Sequence, residues 1–303
     1  MKDSENKTKR LVLLDSHAIL HRAYHALPDF ASKKGEPTGA LYGLVAMLLK
    51  IIGDLKPDYI VACYDLPGPT YRHEAYKGYK AQRKKTDDDL STQIERSRDI
   101  FKAFDIPIYD KPGFEADDML GTIVEKLKDD PETEIVIASG DMDTLQLVTG
   151  KKVQVYTLKK GIKDTIIYDE KGVKERFEFG PKLLSDYKGL RGDASDNIIG
   201  IEGIGEKTAT TLISTFGTIE NIYKELEKGK EEKFKKVGIS PRMIELLKNG
   251  KEEAEFSKML ATIRRDAPIN FQLPEKSFKE SLDLEKILTL FNELDFRTLG
   301  ARL

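Results

Sequence analysis

Three short apolar runs, each followed by an aspartate, alternate with longer amphipathic segments in the N-terminal half of the chain. The runs cover residues 11–14, 60–64 and 135–138, which is strand length. Segments 38–55 and 115–127 carry apolar residues at helical spacing. Strands that alternate with helices in this way are typical of a mostly parallel sheet with helices packed against it. The sequence therefore predicts an α/β fold.

The rest of the chain changes pattern twice. Residues 153–157 and 165–168, joined across 159–164, predict either a hairpin or two edge strands. After residue 180 the pattern becomes helical, with a glycine-punctuated stretch and charged connectors. We therefore expect an α/β core over residues 1–180 and a helical C-terminal lobe over residues 181–303.

Composition restricts the compartment of the protein more than its partners. The 50 basic and 52 acidic side chains nearly cancel, so the net charge of -2 identifies no partner. Cys63 is the single cysteine, which excludes a disulfide or a thiolate zinc site within one chain and favours a reducing compartment, the cytoplasm. Residues 1–10 are polar, and the apolar stretch 41–49 is too short to span a bilayer, so we expect neither secretion nor a membrane.

An acidic side chain stands at the end of each predicted strand. Asp15 and Asp65 follow the first two runs directly, and Asp141 follows the third after a Ser-Gly turn. Because ligands of an open parallel sheet bind at the carboxyl ends of its strands, we expect these carboxylates to converge. Further carboxylates at a predicted helix start and in two later loops are Glu115, Asp117, Asp118, Asp143, Asp193 and Asp196.

Each carboxylate alone has an ordinary explanation as a turn residue, a helix cap or a partner of the helix dipole. Together in one crevice they would repel each other unless cations lay between them, and oxygen ligands suit Mg²⁺ or Mn²⁺. A calcium EF-hand fits poorly, because Leu145 stands where a third ligand belongs and Gln146 where a glycine belongs. No phosphate-binding P-loop motif occurs.

Residues 71–85 combine positive charge with aromatic rings. The segment contains six basic side chains, one acidic side chain and three tyrosines. The basic residues are Arg72, Lys77, Lys80, Arg83, Lys84 and Lys85, the acidic residue is Glu74, and the tyrosines are Tyr71, Tyr76 and Tyr79. Such a segment is either a solvated surface or a contact for single-stranded nucleic acid. Since it follows Asp65, we expect it to lie over the acidic crevice, where it would attract a polyanion.

Three histidines, His17, His21 and His25, recur at helical spacing, which raises the question of a zinc site. We disfavour zinc because neither a cysteine nor an evident fourth ligand is near. The same segment carries Arg22 and Tyr24, which suit phosphate and base contacts beside Asp15.

These motifs, in this order, resemble the flap-endonuclease family, in particular the 5′ nuclease (5′-3′ exonuclease) domain of bacterial DNA polymerase I. The likeness spans nearly the whole chain, and Ser16 and Ile199 depart from it, standing where glycine and proline are usual. The matching stretches are LVLLDSHAILHRAYHAL (11–27), YDLPGPTYRHEAYKGYKAQR (64–83), PGFEADDMLGT (112–122), ASGDMDTLQL (138–147) and GLRGDASDNIIGIEGIGEKTA (189–209).

The resemblance implies a PIN-like α/β fold and a set of metal ligands. It assigns two groups of carboxylates to metal ions: Asp15, Asp65, Glu115, Asp117 and Asp118 to one, and Asp141, Asp143, Asp193 and Asp196 to the other. We expect two Mg²⁺ or Mn²⁺ ions about 4 Å apart to promote in-line hydrolysis that leaves a 5′-phosphate and a 3′-hydroxyl. The lysines and arginines nearby would neutralise charge on the phosphate.

The resemblance also implies two DNA-binding elements. A helical arch over about 68–95 would admit the 5′ strand, and a helix-hairpin-helix element over about 184–216 would hold duplex DNA and also bind K⁺. Contacts with the scissile phosphate are expected from Lys80 and Arg83, helped by Arg22 and Arg72. Further DNA contacts are expected from Tyr24, His25, Tyr79, Gly203, Gly205, Lys207 and Thr208.

The expected partner is DNA with a 5′ flap, a nick or a free 5′ end, cut during replication and repair by a monomeric nuclease. A polymerase domain, in the same chain or separate, is a further expected partner. Two rival hypotheses remain: a branched-DNA-binding module without catalysis, and a metal-dependent phosphohydrolase of small substrates. The second would have no use for the basic segment or the hairpin.

Overall fold

A computed structural model describes residues 8–160 and 164–303. The described residues form a six-stranded sheet in the order β3-β2-β1-β4-β5-β6, in which β5 and β6 pair antiparallel and the other neighbours pair parallel. This confirms the predicted α/β fold. The strands are β1 Lys9–Asp15, β2 Tyr59–Cys63, β3 Ile108–Tyr109, β4 Thr133–Ala138, β5 Val153–Lys160 and β6 Asp164–Tyr168.

Helices cover both faces of the sheet and continue beyond it. Short 3-10 helices span Met142–Leu147 and Pro181–Leu183. The α-helices are α1 Ser16–Ala26, α2 Gly39–Leu55, α3 Tyr71–Ala75, α4 Asp88–Ala103, α5 Ala116–Lys126, α6 Glu170–Phe177, α7 Leu184–Arg191, α8 Glu206–Phe216, α9 Ile219–Glu227, α10 Glu231–Lys236, α11 Pro241–Asn249, α12 Lys251–Ala261, α13 Phe278–Ser281, α14 Leu284–Glu293 and α15 Arg297–Gly300. None of the helices in the described ranges is long and apolar enough to cross a membrane.

Alternate residues of the central strand enter two different cores. Leu11 and Leu13 pack with α5 and with helices of the C-terminal half, whereas Val12 and Leu14 pack with α1, α2 and α4. A strand side chain points to the opposite face from its neighbour, so a strand covered on both faces is apolar throughout. The sheet is thus a rigid support, and its carboxyl edge is left for polar side chains.

The C-terminal lobe predicted over 181–303 is not continuous in space. Phe278, Ile287 and Phe291 join the core formed by α2 and α4, and the Phe291 ring lies 6.2 Å from that of Phe104. The amide of Phe278 donates to the Asp58 carbonyl at 2.7 Å. The last three helices therefore pack on the α/β body, on the sheet face opposite to helices α7 to α12.

Two local predictions concern the strands β5 and β6 and the arch. β5 and β6 form the hairpin that was one of the two alternatives, although residues 161–163 of its connection lie outside the described residues. The arch predicted over about 68–95 is helical only at its ends, in α3 and α4. Residues 76–87 between them form turns and irregular chain. Turns here allow the segment to fold down against the rest of the protein, as described below.

Candidate metal centre and nucleic-acid interface

The three aspartates that follow β1, β2 and β4 meet at one edge of the sheet. The strands are parallel and in register, so their carboxyl ends coincide. Asp15 also caps α1, because its Oδ1 accepts from the Ala18 amide at 3.0 Å. Asp141 likewise accepts from the Asp143 amide at 2.9 Å. These carboxylates therefore begin the next helices and also face the crevice at the end of the sheet.

Two adjoining cavities at this edge hold most of the candidate ligands. They share Ala18, Arg83 and Asp141. The first, about 250 Å³, is lined by acidic, basic and histidine side chains: Asp15, Asp65, Glu115, Asp117, Asp141, His17, His21, Lys80 and Arg83. The second, about 550 Å³, is lined among others by Asp141, Asp143, Asp193, Arg22, Arg83, Arg176, Lys188 and Arg191. We call them the acidic cavity and the arginine cavity.

Burial, and after it the neighbouring negative charges, raises the pKa of several of these carboxyls. Burial raises the pKa of Asp15 to about 7, with Asp65 and Asp141 adding to the effect and the Ser139 hydroxyl and the Ala18 amide opposing it. Burial and then Asp141, Asp15, Asp143 and Asp65 raise the pKa of Asp117 well above its usual range. No ion pair or hydrogen bond reaches the Asp117 carboxylate from the described residues. Such a carboxylate needs a cation to be stable in its charged form.

Other candidate ligands are already neutralised by basic side chains. The Lys188 ammonium contacts Asp143 and lies 2.5 Å from Asp193. Lys80 lies 2.9 Å from Glu115. Within residues 8–160 and 164–303, no group of three or more His, Cys, Asp or Glu side chains is arranged to hold a metal ion. The oxygen donors fit Mg²⁺ or Mn²⁺ chemically, and the basic side chains would have to yield for the carboxylates to close around an ion.

Asp118 was predicted to be a metal ligand, but its contacts contradict this assignment. It is fully buried, and both its oxygens accept from Arg72 at 2.9 Å. The amide of Arg264 donates to the same carboxylate at 2.9 Å. Asp118 therefore lies beneath the crevice rather than in it, and we remove it from the candidate ligand set.

Arg72 was predicted to assist at the phosphate, yet it is only 3% exposed. Besides Asp118, it donates to the backbone carbonyls of Leu260 and Thr262, each at 2.9 Å. The side chain thus ties α3 to α5 and to the end of α12. A fully engaged and buried guanidinium cannot bind DNA, so its role is structural.

We predict that Arg72→Met destabilises the protein by about 3–5 kcal/mol, because it leaves Asp118 charged and buried without its partner. Urea unfolding followed by circular dichroism measures the change. Arg264→Met, which removes a surface pairing with the exposed Asp266, should cost about 1 kcal/mol or less. Equal unfolding midpoints for both variants would contradict the structural role of Arg72.

The turn segment 76–83 docks on the loop 193–197 that carries two candidate ligands. The Lys80 amide donates to the Asp196 carbonyl at 2.9 Å, and the Asn197 side chain donates to the Gly78 carbonyl at 2.7 Å. Arg83 lies 2.5 Å from the Asp196 carboxylate. Lys80 and Arg83 are thereby brought to the acidic cavity. Asp196 lines neither cavity itself and reaches the site through these two cations.

Tyr79 was predicted to contact DNA, and the structure corrects this. Its ring is 3% exposed, and its hydroxyl lies 3.1 Å from both Glu115 and Asp196. A ring buried in this way offers no face to a base. Tyr79 instead fixes the docked segment to the two carboxylates on either side of it.

Helix α1 brings only part of its polar face to the cavities. His17 accepts from the Asp65 amide at 3.2 Å, and His21 lines the acidic cavity with it. His25 and Tyr24 line neither of the two cavities. The Tyr24 hydroxyl donates to Asp87 at 3.3 Å, near the start of α4. Tyr24 and His25 therefore lie outside the crevice, toward the outer end of the basic segment.

The turn of the predicted helix-hairpin-helix element, called the hairpin below, lies between α7 and α8. Gly203 has a φ of 90°, which favours glycine, and Ile204 is buried beneath the turn. Gly205 caps α8 without a side chain, and a Cβ there would meet no atom within 4 Å. Lys207 is exposed and Thr208 half-buried on the first turn of α8. The backbone at this turn is thus open to a large ligand.

Sequence analysis missed three basic residues of the arginine cavity: Arg176, Lys188 and Arg191. A signal existed for two of them. Lys188 and Arg191 are three residues apart in a helix that ends two residues before Asp193, so they share a face near the acidic loop. Arg176 carried no such signal, because its position depends on how α6 packs beside α7.

The family model described as the 5′-3′ exonuclease N-terminal resolvase-like domain matches residues 10–178. The model described as the 5′-3′ exonuclease C-terminal SAM fold matches residues 179–283. DNA polymerase I of Bacillus caldotenax is 39% identical over 290 residues, which cover 96% of this chain and 32% of that protein. DNA polymerase I of Bacillus subtilis is 37% identical over 295 residues, which cover 97% and 32%.

The chain therefore spans about a third of the length of these relatives. Among solved structures, the bacteriophage T5 D15 flap endonuclease in a pseudo-enzyme-product complex with DNA and metal ions matches with a TM-score of 0.65 and 19% identity. That match covers 97% of this chain and 98% of the other. At this identity the likeness shows a shared fold. Because the two family models together cover most of its length, the chain belongs to the 5′-3′ exonuclease family.

Proposed function

We propose that this chain is a structure-selective, divalent-metal-dependent 5′ nuclease that hydrolyses phosphodiester bonds at 5′ ends and flaps of DNA. The observation that carries the proposal is the acidic cavity, in which two carboxylates without cation partners, the buried Asp15 and the half-buried Asp117, lie beside Lys80 and Arg83. A site with this charge pattern attracts divalent ions first and a phosphate next. The family membership and the DNA complex of the T5 relative support the same chemistry.

The carboxylates would hold the metal ions in two groups. Asp15, Asp65, Glu115 and Asp117 would hold one, and Asp141, Asp143, Asp193 and Asp196 would hold the other. When bound, Mg²⁺ or Mn²⁺ supplies a hydroxide equivalent near neutral pH and a counter-charge for the leaving oxygen. We include K⁺ at the hairpin, where the open backbone near Gly203 offers carbonyl groups, as part of the same proposal.

The basic side chains act on the phosphate. Lys80, Arg83 and Arg22 would contact the scissile phosphate and neutralise the charge that develops as water adds to phosphorus. The bond between phosphorus and the 3′ oxygen breaks, so that one product carries a 5′-phosphate and the other a 3′-hydroxyl. The hairpin backbone at Gly205, with Lys207 and Thr208, would hold the duplex next to this site.

The proposed substrate also indicates the partners and the cellular compartment of the protein. We propose that the chain acts as a monomer on flapped, nicked or free 5′ ends of DNA in the cytoplasm. A polymerase domain, in the same chain or separate, is the proposed partner in replication and repair. The DNA polymerase I relatives support this, since the chain covers only 32% of their length.

The test is one assay with matched substrates. Labelled 5′-flap, nicked and single-stranded DNA are incubated with the protein in Mg²⁺ or in a chelator, beside p-nitrophenyl phosphate. We expect flap cleavage that requires Mg²⁺ and no hydrolysis of the ester. Tight flap binding without cleavage would instead identify a branched-DNA-binding module, and ester hydrolysis would identify a phosphohydrolase of small substrates.

A further inference from the structure

The arginine cavity gathers guanidinium groups from several elements that are distant in sequence. Arg22 comes from α1, Arg176 from the end of α6 and Arg191 from the end of α7. At about 550 Å³ the cavity is large enough for a phosphate with part of its nucleotide. The proposed chemistry at the acidic cavity makes no use of Arg176 or Arg191.

Among the described residues, Arg176 and Arg191 have no close carboxylate partner, in contrast to the other cations of the site. Lys188 and Arg83 are paired with Asp193 and Asp196 at 2.5 Å. In the described part of the chain no acidic side chain pairs with Arg176. Among the acidic side chains of the described residues, Arg191 approaches Glu206 alone, at 3.8 Å, and that carboxylate is 77% exposed. The cavity therefore keeps positive charge that the protein itself does not balance.

Aromatic side chains hold both arginines in place without neutralising them. Arg176 donates to the Tyr168 hydroxyl at 3.2 Å and lies 5.4 Å from the centre of the Phe177 ring. Arg191 donates to the Tyr187 hydroxyl at 3.0 Å and lies 5.3 Å from the centre of that ring. A guanidinium oriented in this way keeps free donors for an anion and loses less side-chain entropy on binding it. Phosphate is the anion that matches this fork geometry.

The position of the arginine cavity indicates which phosphate of the DNA it would bind. The arginine cavity shares Arg83 and Asp141 with the acidic cavity, so one end adjoins the proposed site of hydrolysis. At its other end Arg191 approaches Glu206, the first residue of α8 after the hairpin. A strand that runs from the hairpin to the metal ions would pass over Arg191 and Arg176.

We propose that Arg176 and Arg191 form a phosphate subsite for the DNA backbone between the duplex held by the hairpin and the scissile bond. The subsite rests on the proposed nuclease function and adds to it. Its ligand is one or two phosphodiesters, recognised by charge and by bidentate hydrogen bonds rather than by base sequence. The subsite would fix how far the duplex lies from the metal ions.

The test replaces single phosphates by neutral methylphosphonates. A set of 5′-flap substrates carries one methylphosphonate at each position from the scissile bond into the duplex, and equilibrium binding is measured in Ca²⁺. With the unmodified protein, one or two positions should weaken binding about tenfold. In Arg176→Gln and Arg191→Gln, the affinity for unmodified DNA should fall by a similar factor, and the methylphosphonate at that position should then have less than about a twofold effect.

A matched control is Arg297→Gln, which removes the same charge from an exposed arginine of α15 on the opposite side of the sheet. It should bind like the unmodified protein at every position. Circular dichroism melts check that all variants are folded. If the two arginine variants keep the full sensitivity to every methylphosphonate, the subsite is wrong while the nuclease proposal stands. If the unmodified protein fails to bind or cut any flap, the proposed function fails and the subsite fails with it.

Discussion

Asp117→Asn is expected to lower the single-turnover rate of flap cleavage in Mg²⁺ by about a hundredfold or more. The amide keeps the size of the side chain and removes the charge that attracts the metal ion. The same change should stabilise the protein without metal by about 1 kcal/mol, because it removes a desolvated charge and ends the repulsion from Asp141 and Asp15. A gain in stability together with a loss of activity would show that the Asp117 carboxylate destabilises the protein and is needed for cleavage.

Three measurements separate these effects. Flap cleavage gives the rate, thermal unfolding in a chelator gives the stability, and electron paramagnetic resonance of free Mn²⁺ gives the affinity for the ion. The control Asp129→Asn makes the same change just beyond the other end of α5, at an exposed position, and should alter none of them. Unchanged Mn²⁺ binding by Asp117→Asn would exclude Asp117 as a ligand, whatever happens to the rate.

The sequence could predict the acidic centre because its geometry is local. Asp15, Asp65 and Asp141 each follow a buried strand, and the parallel register of β1, β2 and β4 brings them together. An aspartate placed just after an apolar run carries this information without any knowledge of tertiary contacts. In the turn between α7 and α8, Gly200 and Gly203 likewise occupy a left-handed backbone conformation that favours glycine, with φ of 66° and 90°.

Prediction failed where a side chain depends on distant contacts. Arg72 looked like part of a basic surface, but one of its carbonyl partners, Leu260, lies 188 residues further along the chain. Tyr79 was likewise predicted to be accessible to DNA, but its hydroxyl donates to Glu115 and Asp196, which are distant in sequence. Spacing within a segment cannot distinguish a cation that binds DNA from one that neutralises a buried acid.

Two further omissions have simple causes. β3 has two residues, Ile108–Tyr109, which is too short for any alternation of apolar residues to be recognised. The C-terminal helices α13 to α15 lie in the part of the chain that the sequence predicted to be helical, but nothing in that pattern says which apolar surface they cover. They cover α2 and α4, so the last helices of the chain complete the core on one face of the sheet.

The proposed catalytic use of the basic segment depends on Lys80. Its ammonium lies 2.9 Å from Glu115 and 3.8 Å from Asp196, at the wall of the acidic cavity. Burial alone would lower its pKa, but the two carboxylates outweigh this and raise it, so the side chain remains charged. Lys80 has a φ of 54°, in the left-handed region, which the docked turn around it maintains.

We predict that Lys80→Ala lowers the single-turnover cleavage rate at saturating flap DNA by about a hundredfold, because charge that develops on the phosphate loses its nearest fixed cation. The affinity for the flap should change by less than about fivefold, since many other phosphate contacts remain. Equilibrium titration in Ca²⁺ and rapid-quench cleavage in Mg²⁺ measure the two quantities on one substrate. A loss confined to affinity would contradict the catalytic role.

Lys85→Ala provides the matched control for this prediction. Lys85 belongs to the same basic segment, but its side chain is 88% exposed and, among the described residues, pairs with the exposed Asp88. Its removal should leave the rate unchanged and weaken binding slightly at low salt. If Lys80→Ala and Lys85→Ala behave alike, positive charge in this segment serves only to attract DNA. If only Lys80→Ala slows the chemical step, then the docking of residues 76–83 on the acidic loop is what brings this lysine into the active site.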